Sequence, residues 1–168
     1  MSTEKEWSVM LMPSAKTMKD VIEATIGRDV AINSAGKMMP GDAVGGLVAT
    51  YWDDAAKVRA ALCFSPEAAA FVGCSFALLP AVPAKEMAAE RSLRHDVVDN
   101  VVEICNVLSA IFEHPKNPPV RLSGTHWPVS QVPAPLARHI FTHFDRVDYD
   151  LDVDGYGTGR ICVVAIGT

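Results

Sequence analysis

Hydrophobic positions along the chain switch repeatedly between helical and extended spacing. Met18, Val21, Ile22 and Thr25 recur at helical intervals between Ser14, a good N-cap, and Gly27, which can take a left-handed stop. This predicts a first helix from Ser14 to about Ile26. Extended segments follow at residues 28–32, 46–52 and 57–64, and the Asp53-Asp54 pair between the last two predicts an antiparallel hairpin. Ser65-Pro66-Glu67 is a strong helix start, so residues 68–78 read as a mostly buried helix that ends before Pro80. A second helical stretch begins near Pro83 and continues, straight or bent, to about Glu113. Beyond the prolines at 115–119, residues 120–127 read as a strand and 135–143 as a short helix. Residues 147–153 and 161–166 then read as a closing hairpin.

Strands and helices are therefore segregated, and the class is α+β. The proline clusters punctuate a single domain over residues 1–168, and 49% hydrophobic residues with 21% charged are enough for a core without metals or disulfides. A net charge of −5 and a pI near 5.5 argue against nucleic acid or an anionic membrane as the main partner, because both select clustered Lys and Arg. Cys63, Cys74, Cys105 and Cys162 each sit in an apolar run without CxxC spacing and read as core thiols. The opening residues MSTEKEWSVM carry no basic segment leading into an apolar stretch, and no later window has the length of a membrane span, so a cytoplasmic location is expected.

The stretch with chemical content is DVVDNVVEICNVLSAIF, residues 96–112. At about 100° per residue, Asp99, Glu103 and Asn106 share an arc of roughly 60°, while Val97, Val101, Ile104, Leu108, Ile111 and Phe112 cover the opposite side. So wide an apolar face presses the helix against the domain and fixes the direction of its narrow polar stripe. A carboxylate and a carboxamide three residues apart then project side by side. The first can pair with a lysine, and the second can donate to an oxygen while accepting from a water.

Asp99-xxx-Glu103-xx-Asn106, followed about twenty residues later by Pro128, resembles the [DS]xxxExxN…P signature of the CheC/CheX/FliY chemotaxis-phosphatase family. The proline departs from the family spacing by one residue, and Pro133 and Pro135 are nearby alternatives. The order of elements is also similar: an opening helix, a run of strands, two helices of which the second bears the motif, then strands to the end. With Glu23 in the first helix but Ile26 where an amide would stand, the likeness is to the single-motif CheX type. The resemblance implies a CheC/CheX-like fold, an antiparallel sheet packed against long helices. It also implies activity toward the aspartyl phosphate of a CheY-like response regulator. Asn106 would orient the attacking water and Glu103 would engage the receiver's lysine, with Asp99 and Pro128 as partner-binding positions. No cofactor is expected on this chain, because Mg2+ resides on the receiver. A homodimer through sheet edges is implied by likeness to CheX, and the alternative function is a non-catalytic binding or scaffolding module of the same fold.

Other patterns carry less. His139 and His143 have metal-ligand spacing, with His126 not far off, but no third ligand follows a known motif, and no metal site is expected. Asp150-x-Asp152-x-Asp154-Gly155 imitates the start of a calcium loop, yet Ile161 stands where the bidentate acid belongs, so a strand with an acidic face and an Asp-Gly turn is expected. Gly45-Gly46 belongs to no phosphate-binding pattern, and Ser123 to His126 lacks a nucleophile elbow. Trp127 reads as a buried strand end or an exposed docking aromatic.

Overall fold

The computed structural model describes residues 10–167. Except for Met10, the opening residues read above for a leader lie outside the described residues. Helix α1 (Ala15–Ile26) begins where the Ser14 hydroxyl accepts the Thr17 amide at 3.1 Å and stops at Gly27, whose φ of 68° is left-handed. Strand β1 (Val30–Ser34), the short α2 (Pro40–Ala43), β2 (Leu47–Trp52) and β3 (Val58–Phe64) follow. Next come α3 (Pro66–Phe76), α4 (Ala81–Glu90), α5 (His95–Val107) and a 3-10 turn over Leu108–Phe112. Strand β4 (Arg121–His126), helix α6 (Ala134–Thr142), β5 (Arg146–Val153) and β6 (Gly157–Ala165) complete the chain. Among the described residues no helix is long and apolar enough to cross a membrane.

The helical stretch expected from near Pro83 to about Glu113 is three elements, and tertiary contacts explain the break. Arg91 ends α4 in left-handed backbone at φ 53°, and its guanidinium reaches the Glu67 carboxylate at 2.8 Å and the Gly41 and Asp42 carbonyls at 2.9 Å. These distant anchors hold a conformation that an arginine avoids by itself. The chain then restarts as α5 at His95. Helix α2 is too short to leave a periodicity in the sequence.

The six strands form one antiparallel sheet in the order β1-β5-β6-β3-β2-β4. The β2–β3 hairpin closes on Asp53, whose carboxylate accepts the Ala55 and Lys57 amides and the Arg59 guanidinium at 2.7 Å. Both faces of the central strands are covered. Leu47, Ala49, Tyr51, Leu62, Phe64, Ile161 and Val163 pack under the large helical layer, while Val48, Ala61, Cys63, Cys162 and Val164 pack under Ile140 of α6. Burial on both sides is why these strands read as continuous apolar runs. The acidic run 150–154 is the end of β5 and a turn at Gly155, φ 79°.

Helix α3 lies in the middle of the large layer, with nine of its eleven residues buried. Small residues let its neighbours come close. A Cβ on Gly159 of β6 would stand 2.2 Å from the Ala68 amide nitrogen, and one on Gly73 would stand 2.8 Å from a Val97 methyl and 3.0 Å from the Val97 carbonyl oxygen on α5. The Gly73→Ala variant is therefore expected to lose about 1–3 kcal/mol by forcing α5 outward, read as a lowered urea midpoint. An unchanged midpoint would show that α3 and α5 are not in such tight contact.

Candidate functional site

Helix α5 is anchored along its apolar side. Val97, Val101, Ile104 and Cys105 are buried against α3 and the sheet, and the following turn buries Leu108, Ile111 and Phe112. The fully buried Tyr51 of β2 donates its hydroxyl to the Cys105 carbonyl at 2.6 Å and stacks at a tilt on Phe112, ring centroids 5.0 Å apart. This bond falls where α5 tightens into the 3-10 turn and its carbonyls lose their regular partners. It therefore pins the backbone one residue before Asn106. Burial, with the adjoining Cys105, pushes the Tyr51 phenol well up, so it remains a donor.

On the opposite side Asp99, Glu103 and Asn106 are all exposed. Among the described residues none of the three side chains has a hydrogen bond or an ion pair, and only the Asn106 backbone carbonyl is engaged, by the Ser109 hydroxyl at 3.1 Å. Glu103 and Asn106 are separated by about 4.5 Å along the helix axis, one turn, and point outward together. The neighbouring acid is already committed, since Arg94 bonds Asp96 at 2.6 Å and holds its carboxyl below the usual range. Asn100, on the α3 side, reaches the Gly73 carbonyl at 3.4 Å. The arrangement offers one free carboxylate and one free carboxamide on a rigid ridge, with Asp99 a turn before them.

Pro128 lies elsewhere. It follows a cis Trp127–Pro128 peptide after β4, and Trp127 is half-buried with its ring edge-on to His95, centroids 4.9 Å apart. That contact sets Trp127 at the start of α5, while Pro128 itself lines a groove with Pro40, Val44, Arg138 and Phe141 beside α6. His95 lies about 12 Å along the axis from Glu103, at 1.5 Å per residue. The His95–Trp127 contact had no sequence signal, because it joins a helix start to a strand end more than thirty residues on.

Helix α1 holds no second copy of the pair. Ile26 is buried, and Glu23 is engaged by Lys19. His139 and His143 stack at 4.3 Å, but His139 bonds the Ala165 carbonyl at 2.8 Å and His143 bonds the Asp145 amide at 3.2 Å. Among the described residues no three His, Cys, Asp or Glu gather as a metal site would require.

All four cysteines are free and buried. Burial pushes the Cys105 thiol up to about 12 and also raises that of Cys74, so neither is a thiolate at neutral pH.

The frame defines a class of domain, an α+β fold with a six-stranded antiparallel sheet and a clamped helix that presents an acid and an amide. Solved structures of FliY and FliM share the α+β fold with its antiparallel sheet. FliY from Thermotoga maritima matches with a TM-score of 0.58 and 13% identity over 91% of this chain and 84% of that one. The FliM middle domain from Vibrio alginolyticus matches with a TM-score of 0.55 and 11% identity over 90% and 87%. FliM in the FliM–SpeE complex from H. pylori gives 0.55 and 9% over 90% and 80%. No protein-family model matches the chain, and no curated protein matches it in sequence.

Two outcomes test this geometry. Tyr51→Phe should cost about 1–3 kcal/mol, because it leaves the Cys105 carbonyl buried without its donor, and thermal denaturation would register the loss. A thiol-reactive dye should label almost no cysteine in the native protein and all four after denaturation. Rapid native labelling would contradict their burial.

Proposed function

We propose that this chain dephosphorylates the receiver domain of a CheY-like response regulator, with Glu103 and Asn106 as the residues that act. The observation that supports this most directly is the exposed, unpartnered acid and amide on a helix whose other sides are fixed. Their match in type and spacing to the CheC/CheX/FliY signature gives the pair its chemical meaning, and the FliY-like fold agrees with it.

In this reading α5 docks against the receiver's phosphorylation site, and the chain works in the cytoplasm, where such receivers are found. The Glu103 carboxylate pairs with the receiver's lysine and sets the docking angle. The Asn106 amide enters beside the phosphoryl group and holds a water in line with phosphorus. The water oxygen bonds to phosphorus as the bond from phosphorus to the aspartyl oxygen breaks, leaving a free carboxylate and inorganic phosphate. The receiver supplies its own Mg2+ and lysine, so this chain needs no nucleophile. Asp99, one turn back, contacts the partner, and Trp127, the residue before Pro128, borders the start of the helix.

A second reading is a binding module without turnover. The FliM middle domains share the fold, and one of them is in complex with SpeE, which supports partner docking as a use of this architecture. The two readings separate on whether sub-stoichiometric protein accelerates phosphate loss from a receiver loaded with acetyl phosphate. For the phosphatase, Asn106→Ala should slow the catalysed decay on the order of 10²-fold while changing stability by less than about 0.5 kcal/mol. Decay unaffected by Asn106→Ala would refute the assignment, and binding without turnover would establish the module.

A further inference from the structure

On the far face of the sheet from α5, an apolar groove of roughly 700 Å3 runs between α2 and α6, lined by Pro40, Val44, Pro128, Val129 and Phe141, with Arg138 among its walls. Helix α6 is fixed in place by the buried Ile140 beneath it and by the His139 bond to Ala165, so the groove has a firm wall. Val44 remains 59% exposed on its opposite side.

The chain leaves α6 at His143 and immediately turns Phe144 out to solvent, 90% exposed. Among the described residues its ring meets only that of His143, at 4.9 Å. An aromatic knob touched only by His143 thus follows two residues after Thr142 on the groove wall, and among the described residues nothing fills the groove. The charges beside them match in the same way. Arg138 on the groove and Asp145 beside the knob carry opposite charge. Among the described residues neither side chain has an ion pair or hydrogen bond, and only their backbone atoms are engaged.

We propose that this face is a two-fold interface between copies of the chain, in which Phe144 of each copy fills the groove of the other and Asp145 of each meets Arg138 of the other. Because the knob and the hole lie on adjacent parts of one surface, a two-fold axis can fill both within a single closed interface, without the open chain that head-to-tail contact would give. The same operation sets the two unpaired charges opposite their complements. The groove occupies the opposite side of the sheet from Glu103 and Asn106, so pairing here leaves that pair open while covering Pro128, which also lines the groove. It also differs from pairing of the edge strands β1 and β4.

Sedimentation of the full chain over a range of concentrations tests this. A monomer–dimer equilibrium is expected. Phe144→Asp should shift it fully to monomer, with a thermal melt unchanged at concentrations where the wild type is itself monomeric, since the ring is solvent-exposed. Arg138→Glu and Asp145→Arg should each weaken the dimer by about tenfold or more, and the double exchange should restore it. A wild-type monomer at every concentration would overturn the proposal. So would a dimer that survives Phe144→Asp, which would point to the sheet edges, or an exchanged double variant that stays as weak as the single ones.

Discussion

The contact between α3 and its two neighbours is the constraint on which the rest of this structure depends. Helix α3 has sheet on one side and α5 on another, and it admits both only because Gly159, the alanines at 68–70 and Gly73 leave no side-chain bulk between the backbones. Close packing of this kind has little slack, since interiors as dense as organic crystals transmit displacement instead of absorbing it. The orientation of α5 is therefore set by the sheet, through α3. Had α3 carried larger residues, α5 would stand further off and its polar stripe would turn with it.

Tyr51 completes that constraint from the strand side. A phenol reaching from the middle of β2 to the carbonyl before Asn106 ties the end of α5 to the most deeply buried part of the sheet. Such a bond between buried groups is costly to break, because the carbonyl would be left without water or protein donor. The consequence is an acid and an amide that are mobile only in their own side-chain torsions. A group that must position a water against a partner's phosphoryl centre profits from that limitation, because misplacement by about 1 Å already costs much of the rate advantage of proximity.

The two faces of the sheet carry different kinds of surface. Above α3 the layer is thick, ends in α5 and exposes charged and amide groups. On the other face α6 and α2 cover the sheet incompletely, and what remains is apolar with one aromatic beside it. Such a division allows one surface to meet a partner transiently and another to hold copies together. Polar ridges engage through charge and orientation, whereas apolar clefts gain from exclusion of water.

Local signals in the sequence determined much of the secondary structure. The Ser14 cap and Gly27 stop bound α1, Ser65-Pro66 starts α3, and the alternation around Asp53 gives the β2–β3 hairpin. The polar arc of Asp99, Glu103 and Asn106 was legible as well, because helical periodicity is an arithmetic property of spacing. Tertiary structure decided what spacing cannot encode. Arg91 breaks the long helix because Glu67 and the 41–42 carbonyls, distant in sequence, hold its backbone in the left-handed region. The strand order, the removal of Pro128 to the groove beside α6, and the nearness of Phe144, Asp145 and Arg138 to that groove likewise arise from chain crossings. A sequence records which side chains are adjacent within one element, but proximity between elements is fixed only when the layers close on a shared core.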